Sequence, residues 1–258
     1  MALLGSLGCQ AGGGNGSLAS SAGASGDPHR WLEEVRSERA LDWVRARNAA
    51  SERALAGSET FDALFSDALS ALDAEGRIPE LEQRGDHVYD LWQDEAHPRG
   101  IWRRTPVDEL RTAPARWETI LDIDALAERE GVKWTFKGAS CLPPEHARCL
   151  VRLSPEGGDA VEVRELVMDT RTFVDPEAGG FHLPEAKTDV AWIDADTIFV
   201  ATDFGEGSLT TSGYPRVVKI WRRGTPLAEA ETVLETDPES IAVGPRRYFG
   251  DPPVDIVT

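Results

Sequence analysis

At 258 residues, 41% hydrophobic and 28% charged, the chain has the composition of a globular protein and ample length for a core. A formal net charge of −18 excludes a nucleic-acid-binding role, because a phosphate backbone requires a basic footprint. No apolar run approaches the roughly 20 residues of a membrane-crossing helix.

Residues 1–26 stand apart. Met1-Ala-Leu-Leu-Gly-Ser-Leu-Gly-Cys9 is similar to the end of a bacterial lipoprotein signal, which makes Cys9 a candidate lipidation site. It departs from that pattern in having no basic segment, a short apolar part and Ser6 where Leu is usual. A start codon placed too late would account for this. The competing reading is a tail without targeting meaning, so the compartment stays open between periplasmic or membrane-anchored and cytoplasmic. The Gly/Ala/Ser-rich residues 10–26 read as disorder or a tether.

Residues 27–76 read as a helical segment. Asp27 is placed to cap a short helix starting at Pro28, and Ser37 to cap a second from Glu38 to about Leu55. Phe61, Leu64, Phe65, Ala68, Leu69 and Leu72 form one apolar face of a third. Gly57 separates the two longer helices and Gly76 ends the region, and the expectation is a packed pair without chemistry of its own.

From about residue 77 the pattern changes to short β runs bounded by turns. His87–Gln93, Gly100–Arg104 and Trp117–Ile123 come first, followed by a short helix at Ala125–Glu130 with Asp124 as its expected cap. Trp134–Lys137, Arg148–Ser154, Val161–Met168, Phe173–Val174 and Phe181–Leu183 continue the series. Val190–Ile193, Thr197–Thr202, Arg216–Trp221 and Thr232–Leu234 then give four strands in sequence. Ile101-Trp-Arg-Arg104 returns as Ile220-Trp-Arg-Arg223, an internal echo that suits an array of blades. The fold class is mainly β: a partial β-propeller of about two and a half to three four-stranded blades over residues 77–258, preceded by the helical segment. Unpaired edges in such a fragment predict poor solubility or self-association.

Few clusters suggest chemistry. Cys141, His146 and Cys149 lie close in sequence. A metal site would need a fourth ligand that the neighbourhood does not offer. A disulfide between Cys141 and Cys149 and a pair of free thiols both stay open. A tight loop at Leu142–Glu145 would set Cys141 against His146, and only a wider loop would oppose the two cysteines. Asp122/Asp124 and Asp194/Asp196 sit at strand ends, where turn and cap roles are expected. The glycine-rich loop at Gly205–Gly213 lacks the lysine and following helix of a phosphate site. Arg103-Arg104 and Arg222-Arg223 are expected to pair with acidic turns. No residue is assigned to catalysis, to a cofactor or to a metal.

Several motifs in order carry a family resemblance. They are Asp27-Pro-His-Arg-Trp-Leu-Glu33, Trp43-Val44 with Asn48, Trp92-Gln-Asp94, Gly100-Ile-Trp-Arg-Arg-Thr105 and Trp117-Glu-Thr-Ile-Leu-Asp122 with Asp124-Ala-Leu126. Leu183-Pro-Glu-Ala-Lys187, Thr202-Asp-Phe-Gly205 and Ser212-Gly-Tyr-Pro-Arg216 complete them. This chain resembles the N-terminal region of the prolyl oligopeptidase family of serine peptidases, with His29 where the family usually has Tyr. The resemblance implies a seven-bladed propeller gating the access of short peptides to an α/β-hydrolase domain with a Ser, Asp and His triad. No Gly-x-Ser-x-Gly occurs here, so no triad residue is carried over and the chain alone is expected to be inactive. The partners implied are short peptides and the absent C-terminal hydrolase domain. A non-enzymatic propeller-type binding or scaffold protein is the alternative.

Overall fold

The computed structural model describes residues 27–34, 36–72, 80–110, 114–155 and 157–257. Cys9, the tail at 1–26 and Gly76 lie outside them. The chain divides into two units, 1–72 and 73–258.

The first unit carries a 3-10 turn at Arg30–Glu33 and two helices, α1 (Glu38–Leu55) and α2 (Glu59–Leu72). The turn starts two residues later than expected, because the Asp27 carboxylate accepts from the His29 amide at 2.8 Å and closes a local turn first. Ser37 caps α1 as its sequence suggests, accepting from the Ala40 amide at 3.2 Å. Ser58 does the same for α2 through the Phe61 amide at 3.1 Å. The expected packed pair is not what forms. Only Ala40 of α1 is buried, no residue of α2 is, and Leu64, Phe65 and Leu72 are each at least 60% exposed. The apolar stripe on α2 is present, but among the described residues of this unit nothing buries it.

The second unit is a succession of antiparallel sheets. The first contains β1 (Glu82–Arg84), β2 (His87–Trp92), β3 (Ile101–Pro106) and β4 (Glu118–Asp122), hydrogen-bonded in chain order. A helical turn, α3 (Val107–Leu110), interrupts the run from β3 to β4, and α4 (Ile123–Glu130) follows the sheet. The cap of α4 is Asp122 and not Asp124: its Oδ1 accepts from the Ala125 amide at 2.9 Å. Asp124 accepts instead from the Arg99 and Gly100 amides at 3.0 and 3.2 Å, tying the helix to the start of β3.

The next sheet contains β5 (Trp134–Cys141), β6 (Arg148–Pro155), β7 (Val161–Val167), β8 (Thr172–Phe173) and β9 (His182–Ala186). Here the fourth strand is split. β8 pairs with Leu166 and Val167, while β9 pairs further back with Val161, Val163 and Arg164. A 3-10 turn at Pro176–Ala178, capped by Asp175, lies between them. Gly180 permits the return, since a Cβ there would fall 2.6 Å from the Val174 carbonyl oxygen. A third sheet, β10 (Asp189–Asp194), β11 (Thr197–Ala201), β12 (Val217–Arg222) and β13 (Glu231–Glu235), is again paired in order. The hairpin β14 (Pro245–Tyr248) and β15 (Val254–Val257) opens a further sheet. The blade count therefore passes the two and a half to three expected: three blades and the first hairpin of another. The Pro/Arg-rich strand β14 has no alternation by which its sequence could announce it.

The sheets are stacked face to face, as the alternation of side chains along their strands shows. Cys149, Val151 and Leu153 of β6 join a core with Tyr89, Trp102 and Ile120 of the first sheet. Leu150, between them in sequence, faces the other way, into a core with Val190, Trp192 and Ile198 of the third sheet. Every residue of β11 is buried. Ile198 and Val200 serve that second core, while Phe199 and Ala201 serve a third core with Val218 and Val243. A strand buried on both faces loses polar/apolar alternation and reads as a continuous apolar run, as Thr197–Ala201 does.

Trp102 is 2% exposed, 5.7 Å from Tyr89 and 5.4 Å from Phe136 between ring centroids, so it bridges the first two sheets. Replacing Trp102 by Ala is expected to cost about 3–5 kcal/mol. A urea titration followed by circular dichroism measures this, and a midpoint equal to that of the parent would contradict the packing described.

Candidate functional site

The first strands of successive sheets, β1, β5, β10 and β14, lie along one cleft of about 600 Å³. Convergence of first strands is what a propeller places around its axis. The charged side chains on the wall are Arg84, Arg152, Arg246 and Arg247, with Glu82 and Asp189.

Arg84 is held from several directions. Its Nε and Nη2 donate to the Glu82 carboxylate at 2.9 and 2.6 Å, and Nη2 donates to the Ala139 carbonyl at 2.7 Å. Nη1 lies 3.1 Å from Cys141 Sγ, and the guanidinium sits 4.9 Å from the Tyr89 ring centroid. A side chain of the first sheet is thereby tied to backbone and sulfur of the second.

Asp189 begins β10. Burial pushes its carboxyl up from the ordinary aspartate value, and the charges of Arg152 and Arg246 with the Val190 amide only partly offset this. Gly244 packs beside it, and a Cβ there would lie 2.6 Å from Asp189 Oδ2 and push the carboxylate aside. Arg247 is engaged elsewhere, donating to Asp255 at 2.8 and 2.9 Å.

A second charged centre lies between the second and third sheets. Glu165 on β7 is 0% exposed by side chain. Its carboxylate accepts from Arg148 at 2.6 Å, from Arg223 at 2.7 and 3.0 Å and from the Phe181 amide at 3.0 Å. Burial acts to raise this carboxyl, but hydrogen bonds from Arg223, the Phe181 amide and Arg148 outweigh it and hold it below the ordinary glutamate value.

The residues singled out in the sequence fall into place as follows. Cys141 and Cys149 are direct partners in the β5–β6 register, with Cα atoms 3.9 Å apart and sulfurs within bonding distance. The wider of the two loops is the one formed, spanning 142–147, so His146 does not oppose Cys141. Among the described residues no group of three or more His, Cys, Asp or Glu side chains is gathered as a metal site would need. Asp194 accepts from the Asp196 amide at 2.9 Å, and Asp196 pairs with Arg223 at 3.0 Å. Within Gly205–Gly213, Ser208 Oγ is engaged with Asp203, Gly205 and the Phe204 amide. Arg103 pairs with Asp90 at 2.8 Å, Arg104 with Glu118 at 2.7 Å and Arg223 with Glu165, whereas Arg222 is exposed. Both copies of Ile-Trp-Arg-Arg touch the third strand of a blade. They are offset along it, since Ile101 opens β3 while Arg222 ends β12. Sequence reasoning missed Arg84, Asp189 and Glu165, each of which has a partner distant in the chain.

Stacked four-stranded antiparallel sheets whose first strands share a cleft define a β-propeller, here an arc of one. The family described as "Prolyl oligopeptidase, N-terminal beta-propeller domain" matches residues 21–247, and the chain belongs to that family. The Sinorhizobium fredii peptidase y4nA is 38% identical over 217 residues, covering 84% of this chain and 30% of the relative. The solved structure of a post-proline cleaving enzyme from Rickettsia typhi superposes with a TM-score of 0.76 at 29% identity, over 86% of this chain and 33% of that one. Oligopeptidase B from Leishmania major shares the fold, with a TM-score of 0.61 at 15% identity, over 86% of this chain and 29% of that one. The chain thus spans about 30% of the length of the curated relatives it matches.

Two predictions follow from Glu165 and Asp189, with opposite signs. Because Glu165 titrates lower in the folded state, its stabilisation is complete above the unfolded glutamate pKa and is lost as pH falls through the folded one. Glu165→Gln should cost about 3–5 kcal/mol at pH 7, with the gap to the parent shrinking in acid; urea midpoints at pH 7 and pH 3 measure both. Asp189 titrates higher when folded, so its contribution is present below the unfolded aspartate pKa and is lost as pH rises through the folded one. Asp189→Asn should therefore match or exceed the parent in thermal midpoint at pH 7 and lose that advantage near pH 3. A lower midpoint at both pH values would contradict the assignment.

Proposed function

We propose that this chain is the access-limiting propeller segment of a prolyl oligopeptidase-type serine peptidase acting on short peptides. The observation that carries the reading is the family match across residues 21–247. It is supported by a cleft built from the first strands of successive blades and lined by side chains suited to binding. Bond cleavage would belong to a hydrolase domain in which a serine activated by histidine attacks the peptide carbonyl. Arg84 and Arg247 are fixed by Glu82 and Asp255. They give the wall rigid guanidinium groups that meet a peptide without paying to reorganise.

Purified alone, the 258-residue chain should not hydrolyse a fluorogenic peptide carrying proline before the reporter; turnover that persists on further purification would overturn this. Fused to the part of the Sinorhizobium fredii peptidase that it does not cover, it should lower cleavage of a folded protein at least tenfold relative to a short peptide. The same part alone is the reference. An unchanged ratio would overturn the gating role and favour a separate binding module.

A further inference from the structure

We propose that Cys141 and Cys149 form a directional thiol–disulfide pair in the cleft, in which Cys141 is the sulfur that exchanges with small thiols and Cys149 is the resolving one. Three observations point this way. The two residues face each other across β5 and β6, with sulfurs within bonding distance. Their exposure is unequal: Cys149 is 0% exposed within the first apolar core, whereas Cys141 is partly exposed and lines the cleft. Finally, Arg84 Nη1 stands 3.1 Å from Cys141 Sγ, and the same guanidinium is pinned by Glu82 and the Ala139 carbonyl.

A fixed guanidinium beside a sulfur favours its thiolate, and Arg152 on the same wall adds to this, against the opposing charges of Glu82 and Asp189 and beside His146, while apolar burial disfavours a thiolate. In the reduced pair, Cys141 is thus the nucleophile. Its thiolate attacks one sulfur of a small disulfide such as oxidised glutathione, the S–S bond breaks, and one glutathione thiolate leaves. Cys149 then gives up its proton and attacks Cys141 Sγ, expelling the second glutathione thiolate and closing the bridge. The glutathione disulfide is reduced by two electrons and the protein thiols are oxidised by two. In the reverse direction an incoming thiolate reaches only Cys141 and must expel Cys149 as a thiolate into apolar surroundings, so the closed bridge resists monothiols.

The hairpin end does not depend on the bridge. The Leu142 amide donates to the Arg148 carbonyl, and the Met168 amide to the Ala147 carbonyl, each at 2.9 Å. The fold should therefore survive with the pair open. The mixed disulfide on Cys141 would then stand in the cleft beside Arg84, so the pair reports the thiol redox state at the surface the peptidase reading assigns to peptides. The exchange chemistry itself does not rest on that reading.

The test uses the full chain with Cys9→Ser throughout, so that only this pair reacts. Trypsin cleaves after Arg148 and separates the two cysteines. With Cys149→Ser added, oxidised glutathione should give a stable adduct on Cys141. With Cys141→Ser instead, Cys149 should react at least tenfold more slowly until urea is added. The pH–rate profile of Cys141 alkylation in the Cys149→Ser chain should have its midpoint at least about one unit below the ordinary thiol value of about 8.5. Arg84→Met should return it toward that value, and Arg84→Lys should keep part of the shift. Equal reactivity of the two cysteines in the native fold would overturn the direction proposed. A normal midpoint for Cys141 would overturn the role of Arg84, and that measurement stands even where Arg84→Met fails to fold. Two titratable thiols after air oxidation of the parent would overturn the pair altogether.

Discussion

A buried charge must be satisfied where it lies, and at Glu165 that requirement reaches across the boundary between two sheets. The carboxylate belongs to β7, yet Arg223 follows β12 and the Phe181 amide precedes β9. Meeting all of them fixes the third sheet against the second and holds the turn that splits β8 from β9. A buried pair of this kind is a weak source of net stability compared with apolar residues of the same shape. Its consequence is positional: an arrangement that slid one sheet along the other would break the two hydrogen bonds from Arg223 and leave the buried carboxylate short of the partners that offset its burial.

The same device recurs at another boundary in different chemistry. Between the first and second sheets, Arg84 reaches the Ala139 carbonyl and Cys141 sulfur, and the Arg99 guanidinium reaches the Trp134 carbonyl at 3.1 Å. Within the third sheet and its turns, the Thr210 hydroxyl donates to or accepts from Ser212, and the Val243 amide donates to the Pro215 carbonyl at 2.9 Å. Apolar cores lie at the same boundaries and supply most of the driving force, but hydrophobic burial is non-directional. It stacks the sheets without fixing how far one slides along the next. Polar ties at the seams add that directional component.

This division explains what could be read from the sequence. The strands from β10 to β13 were legible because turn residues bound them and apolar runs fill them. Ser37 was legible as a cap because its signal is local. The cap at Ile123–Glu130 was misassigned because Asp122 and Asp124 both satisfy the local pattern. The choice is made by the Arg99 and Gly100 amides, which claim Asp124 from more than twenty residues away. Arg223 pairs with the acidic turn at Asp196, as its sequence suggests, but its second partner, Glu165, is 58 positions distant and carries no pattern to announce it. The cleft was least visible, since each of its four strands contributes only a few wall residues and none is distinctive alone.

The wall of the cleft also bears on what kind of site it can be. Although the chain is strongly acidic overall, four arginines face this space against two carboxylates. Arg84 is committed to Glu82 and Arg247 to Asp255, so they are rigid and already paired. Arg152 and Arg246 act on Asp189, whose carboxyl is nonetheless raised, so burial outweighs them there. A general base needs a group aimed at a proton and supported by a partner that orients it. Asp189 is instead closed in by Gly244, where even one added carbon would meet its oxygen at 2.6 Å. The cleft is therefore a shaped wall in which most of the charge is already paired or half-buried.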